Sequence, residues 1–152
     1  KPFMTGIPTG FIELDRETTI LEDTNLVVIA ARPAMGKTAL AINVASHVCI
    51  EQKKPVAIFS LEMGADQLVE RFLSLRTSIP GEKMKRGALS DLDFRKLKEE
   101  EEILRSAKLF IYDQNCSTIT QIVSKARRLK EEEDVALFVV DYLQLMQGSG
   151  RQ

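Results

Sequence analysis

Residues 25–38, Asn25-Leu-Val-Val-Ile-Ala-Ala-Arg-Pro-Ala-Met-Gly-Lys-Thr38, decide how this chain is read. An apolar, β-branched run leads into a loop of small residues that closes on Gly36-Lys37-Thr38. A strand, a phosphate-cradling loop and the first turn of a helix have this layout. Backbone N–H groups of such a loop and of the helix N-terminus point at phosphate oxygens, where the helix dipole also favours negative charge. The loop proper is Ala31, Arg32, Pro33, Ala34 and Met35. After it, Gly36 keeps a Cβ out of the phosphate path, Lys37 can reach the outer phosphates, and the Thr38 hydroxyl can ligate Mg²⁺. The general pattern G-x-x-x-x-G-K-[ST] would put its first glycine at position 31, where this chain has Ala31. Pro33 fixes one loop dihedral, so proline can hold a loop that glycine would otherwise free. The bland alternative is a strand-turn-helix in which Lys37 is merely solvated.

Outward from that stretch, 152 residues suit one domain with a single core. With 44% hydrophobic and 28% charged residues the chain is an ordinary globular protein and not a disordered tail. Lys and Arg number 21 against 22 Asp and Glu, so no global basic field marks it for nucleic acid. Any such contact must be local, or made by a part of the molecule not in this chain. Cys49 and Cys116 show no metal-ligand spacing and read as core or structural thiols. No apolar stretch reaches about 18 residues, and Lys1-Pro2-Phe3 does not open a signal peptide. A cytoplasmic, reducing setting without a membrane partner is expected.

Two kinds of segment alternate along the chain. Leu26–Ala31, Val56–Ser60, Leu109–Asp113 and Ala136–Asp141 are short, apolar and strand-like. Helical spacing runs through Lys37–Gln52 and Ala65–Ser78; Ser90 can cap a helix that continues through Ala107, and Thr118 with Gln121 can form a capping box for a helix ending near Glu133. Strands that alternate with helices and are continuously apolar predict an α/β fold: a parallel sheet covered on both faces. Two charge-dense stretches, Lys96–Ile103 and Lys125–Lys130, read as solvated helix faces, although the second is basic enough to touch phosphate.

Hydrolysis of a bound nucleotide asks for two more groups. Asp141 ends the apolar run Ala136-Leu-Phe-Val-Val, and strand C-termini of a parallel sheet share the edge that carries the phosphate loop. Asp141 and Thr38 are therefore the expected metal residues. The other use for such an Asp is to cap the next turn. Val56-Ala-Ile-Phe-Ser-Leu-Glu62 ends a second strand in a carboxylate on that edge, and Glu62, with Lys37, is the expected catalytic pair. A plain surface glutamate before a turn is the competing reading of Glu62. Asp113 is a rival acid, ranked lower because Asn115, Ser117 and Thr118 make it look like part of a helix-entry turn.

Four blocks taken together resemble a known family. Thr5-Gly-Ile-Pro-Thr-Gly-Phe11 with Leu14-Asp15, Ala30–Thr38, Phe59-Ser-Leu-Glu-Met63 and Asp141-Tyr-Leu-Gln-Leu-Met146 are similar to the C-terminal motor domain of DnaB-type bacterial replicative helicases. Alanine in place of the first loop glycine is usual in that family. The resemblance implies a RecA-like P-loop NTPase fold, with ATP and Mg²⁺ as cofactors. It further implies a ring, usually a hexamer, that encircles single-stranded DNA, moves 5′-to-3′ by hydrolysing ATP and unwinds duplex. By position, Lys37 and Thr38 match the family's phosphate and metal contacts, Asp141 its metal-coordinating acid and Glu62 its catalytic glutamate. Primase and a helicase loader are implied partners, and nucleotide is implied to sit between subunits with an arginine finger from the neighbour.

The family pattern continues past Met146 with DNA-binding loops, a sensor strand and that arginine, so the C-terminal strands are expected to be missing from this chain, which reads as a fragment. The expected organisation is a lead-in over 1–24, a RecA-like core over 25–146 and a flexible loop over 147–152. Two other readings remain: a RecA-family recombination or repair ATPase, which would not be expected to combine the Phe59–Met63 and Asp141–Met146 blocks, and a ring-assembly module that binds nucleotide with little hydrolysis, against which Glu62 speaks.

Overall fold

Three parallel strands form the middle of the structure, a computed structural model that describes residues 6–113, 116 and 118–141. Strand β1 (Val56–Ser60) lies between β2 (Leu109–Tyr112) and β3 (Leu137–Asp141). Val56 pairs with Leu109 on one side and Leu137 on the other, and the second ladder runs on to Ser60 opposite Asp141. Parallel neighbours need long crossovers, which helices supply. Helices α3 (Ala65–Thr77), α4 (Gly81–Lys85) and α5 (Asp91–Ser106) connect β1 to β2, and α6 (Ile119–Glu133) connects β2 to β3. Ahead of the sheet come α1 (Ile12–Glu17) and α2 (Lys37–Ser46), the latter continuing as a π turn over His47–Glu51.

Every residue of β1 is buried, and its two faces serve two cores. Val56 and Ile58 pack with Ile42, Ala45 and Val48 from the α2 side and with Leu68 and Phe72 of α3. Ala57 and Phe59 pack with Ile122 and Leu129 of α6. The strand is apolar at every position because both faces are covered, as its sequence predicts. The foreseen cap at Ser90 and the foreseen capping box at Thr118 are both present, and the first is a full box as well. Ser90 Oγ accepts from Asp93 N at 3.1 Å while Ser90 N donates to Asp93 Oδ2 at 3.0 Å, and Thr118 with Gln121 does the same at the head of α6. No helix among the described residues is long and apolar enough to cross a membrane.

The structure departs from the sequence reading in three places. Leu26–Ala31 is not a strand: it has no ladder partner among the described residues, and Leu26 is 88% and Val28 68% exposed. Apolar β-branched composition reports what a segment would gain from burial, but a strand exists only where a neighbour supplies the ladder. The helix expected over Lys37–Gln52 changes to π geometry at His47, where Gln52 N donates back five residues to the His47 carbonyl at 3.1 Å. That bulge lies against the N-terminal segment, whose Gly10 sits so close that a Cβ would come within 2.7 Å of the His47 ring. Finally, the Lys96–Ile103 face is not wholly solvated. Glu100 bonds Arg76 Nε of α3 at 2.6 Å, and the same guanidinium reaches Glu51 at 3.1 Å, tying three elements together. The short helices α1 and α4 were not foreseen. Asn115, Ser117, the Tyr142–Met146 part of the last block and the 147–152 loop lie outside the described residues.

Asp93 offers a pH test of this packing. A hydrogen bond from Lys83 at 2.7 Å, with those of Ser90, holds its carboxyl at about 2 against an ordinary 3.8. A depressed value stabilises the fold fully above the ordinary one and loses that contribution as pH falls through the folded one. Thermal midpoints should therefore drop more steeply between pH 3.8 and 2 in the wild type than in Asp93→Asn, and parallel curves would show that the box contributes nothing.

Candidate functional site

At the C-terminal rim of the sheet, one carboxylate collects two side chains from the head of α2. Thr38 Oγ1 donates to Asp141 Oδ2 at 2.8 Å, and Lys37 Nζ lies 3.5 Å from Asp141 Oδ1. The contact joins residues 103 apart in sequence, and Asp141 is only 7% exposed. Each partner is delivered by a regular element. Asp141 is the last residue of β3, locked in register by Leu61 N donating to its carbonyl at 2.7 Å, and Lys37 and Thr38 are the first two residues of α2. The lysine ammonium offsets the cost of burying the carboxylate.

Helix α2 begins without a side-chain cap, whereas α5 and α6 both begin with capping boxes. The N–H groups of its first turn and the positive end of the helix dipole suit an anion at that end. Ahead of it, Ala31 to Gly36 are exposed, and the loop is shaped by left-handed backbone at Ala34 (φ 62°) and Gly36 (φ 84°). A Cβ on Gly36 would meet no protein atom within 4 Å, so its dihedral, and not crowding within the protein, is what calls for glycine there. Alternation of handedness along a loop turns successive N–H groups into an anion-binding concavity, and strained backbone of this kind collects at ligand sites.

Glu62 lies two residues beyond β1 and is exposed. Because β1 and β3 are parallel and end side by side at Ser60 and Asp141, Glu62 leaves from the same rim as the Lys37–Asp141 pair. Asp113 does not join them. It follows the end of β2, two strand spacings from β3, or about 10 Å. There it lines a separate cavity of about 670 Å³ with Tyr112, Cys116, Gln121 and Lys125. Lys125 stands 5.0 Å from the centre of the Tyr112 ring, while Arg128 pairs with Glu132 and Lys130 with Asp134 along α6. Two of the four basic side chains of the stretch are thus paired with acids four residues on. Cys49 is buried, which pushes its thiol up to about 11; it acts as a core residue.

Two features of the site region escaped the sequence reading. Asp15 closes the N-terminal segment on itself, accepting from Thr9 N at 2.9 Å, Thr9 Oγ1 at 2.7 Å and Gly10 N at 3.2 Å. Gln52 Nε2 then ties that turn to the end of the π segment through the Pro8 carbonyl at 2.7 Å. Residues 8–15 are thereby a clamp on the far end of the helix that carries Lys37. The second is Ser60, wholly buried opposite Asp141 at the end of β1, which the sequence reading took only as the close of a strand.

The profile of a family described as "DnaB-like helicase C terminal domain" matches residues 6–152. Over 151 residues the chain is 45% identical to the replicative DNA helicase DnaC of Bacillus subtilis, covering 99% of this chain and 33% of that protein. It is 41% identical over 147 residues to a probable plasmid replicative DNA helicase of Chlamydia muridarum, covering 97% of this chain and again 33% of the relative. The chain thus spans about a third of the length of the curated relatives it matches. Among solved structures, an ATPase domain superposes with a TM-score of 0.88 at 33% identity, covering 98% of this chain and 54% of that one. A DnaB-like replicative helicase, described together with its interactions with primase, gives 0.86 at 33% identity over 98% of this chain and 36% of that one. At this likeness the three-stranded sheet and its helices are those of the RecA-like DnaB ATPase domain.

The dihedral argument for Gly36 can be tested alone. Gly36→Ala should lower the unfolding free energy by roughly 1–2 kcal/mol from the left-handed backbone, and Gly36→Asn by less. Urea unfolding that finds Gly36→Ala as stable as the wild type would show that the loop does not hold this conformation.

Proposed function

The chain belongs to the DnaB-like helicase C-terminal domain family, and on that basis we propose that it is the ATP-binding and ATP-hydrolysing core of a replicative DNA helicase. The observation that carries the reading is the Lys37–Thr38–Asp141 cluster at the head of a helix that follows a left-handed loop. Loop amides and the head of α2 bind the phosphates, with Ala31, Arg32, Pro33, Ala34, Met35 and Gly36 forming the cradle. Lys37 exchanges its carboxylate partner for the outer phosphates. Thr38 and Asp141 are hard oxygen donors, and no cluster of three His, Cys, Asp or Glu capable of holding a metal exists among the described residues. That donor set fits Mg²⁺, which takes few protein ligands and completes its shell with phosphate oxygens and water. Bound there, Mg²⁺ supplies neutralisation of charge on the β- and γ-phosphates. Glu62, exposed on the same rim, orients the attacking water.

In the full-length protein this core works in a ring, a hexamer, on single-stranded DNA in the cytoplasm. A neighbouring subunit completes the site with an arginine, and primase and a loader engage other parts. The relatives' descriptions as replicative helicases and the structural likeness to a DnaB-like helicase described with primase support that assignment.

Glu62→Gln in the full-length protein should reduce DNA-stimulated ATP hydrolysis by about 10²–10⁴-fold while nucleotide affinity stays within a few-fold of the wild type. Unchanged turnover sinks the role of Glu62 and favours an assembly module. Lys37→Ala should abolish tight nucleotide binding in an equilibrium titration, and retained affinity would remove the phosphate-loop assignment itself.

A further inference from the structure

We propose that Ser60 is a positioning residue of the cation site: its hydroxyl holds a water of the Mg²⁺ hydration shell against Asp141. The inference rests on the nucleotide-site reading above and extends it to a residue outside the expected phosphate and metal contacts.

Ser60 is fully buried, and its Oγ is the one buried side-chain polar atom without a hydrogen-bond partner among the described residues. A buried hydroxyl left unpaired is costly, and an alanine would fill the same place without that cost. The rest of the strand, Val56-Ala-Ile-Phe59, is apolar, so the hydroxyl appears only where the strand reaches the polar rim. Its direction follows from the pleat. Val56 and Ile58 face the α2 side and Ala57 and Phe59 the α6 side, so Ser60 faces α2, the side on which Thr38 meets Asp141.

The register completes the placement. Ser60 lies opposite Asp141, and the bond from Leu61 N to the Asp141 carbonyl prevents slippage between them. Parallel strands run about 4.8 Å apart. Side chains paired across that spacing on one face are neighbours that one bridging water can serve. Donors and acceptors balance: Ser60 donates to the water, and the water donates to the acceptor-only carboxylate. Thr38 already donates its proton to Asp141, which leaves its oxygen lone pairs for the cation. Groups that orient metal-bound ligands in this way change metal affinity by about 10–100-fold when removed.

The test uses full-length wild type, Ser60→Ala, Ser60→Cys and Asp141→Asn, with binding of a fluorescent ADP followed in EDTA and then along a Mg²⁺ titration. Ser60→Ala should bind the probe in EDTA like the wild type, yet need about tenfold more Mg²⁺ or above to reach half its metal-dependent gain in affinity. Ser60→Cys, a weak donor of similar size, should fall between. Without ligand, Ser60→Ala should melt at or above the wild-type temperature, because it loses only an unpaired hydroxyl. An unchanged Mg²⁺ midpoint overturns the proposal, and so does an unliganded Ser60→Ala that melts earlier or fails to fold, since the hydroxyl would then be satisfied within the protein. If Asp141→Asn lowers the metal response while Ser60→Ala does not, the Ser60 inference alone fails. If neither substitution alters it, the nucleotide-site reading fails with it.

Discussion

A buried carboxylate at the end of a strand is tolerable only if charge and hydrogen bonds meet it, and Asp141 imposes that condition on this molecule. It is 7% exposed, and its two oxygens are met by Lys37 and Thr38 from a helix 103 residues away in sequence. Breaking such a pair leaves a buried charge uncompensated, so the helix head and the strand end hold one another in place. The same geometry sets up chemistry. A lysine, a hydroxyl and a carboxylate wait together at the head of a helix, where the dipole favours an anion.

Much of the remaining structure can be understood as support for that junction. Strand β1 brings Ser60 opposite Asp141 and is itself fixed by cores on both faces. The far end of the helix is held by the Thr9–Asp15 turn, by Gly10 against the His47 ring and by Gln52 on Pro8. Arg76 then couples the π segment to α3 and α5 through Glu51 and Glu100. The N-terminal block is thus mechanical: it steadies the element that presents Lys37, from the opposite end. The loop between these rigid parts is exposed and carries the left-handed residues, which is the division of labour expected where a rigid scaffold positions a binding loop.

Local signals in the sequence were reliable where the physics is local. Ser90 and Thr118 cap the helices they were expected to cap, because a cap involves only residues three apart. Val56–Ser60 is the strand its composition indicates, since burial on both faces demands apolar residues throughout. Leu26–Ala31 carries the same composition and forms no ladder with any described residue, for pairing depends on a partner that composition does not name. The π turn at His47 and the bridging role of Glu100 were equally illegible, since each depends on what packs against it from elsewhere.

The sequence by itself determined the alternation of strands and helices, the loop with Lys37 and Thr38 at the head of a helix, and the acids at strand ends. These are properties of neighbouring residues and of spacing. The sequence ranked Asp141 above Asp113 as the acid that meets the loop, and the tertiary structure shows the reason in the strand order. Asp113 and Asp141 both end apolar runs, but β3 lies beneath the head of α2, while β2 lies across β1 from it. Only the tertiary structure decided that Ser60 belongs opposite Asp141. Strand order and register are set by how side chains pack between distant segments, and no local pattern encodes that distance.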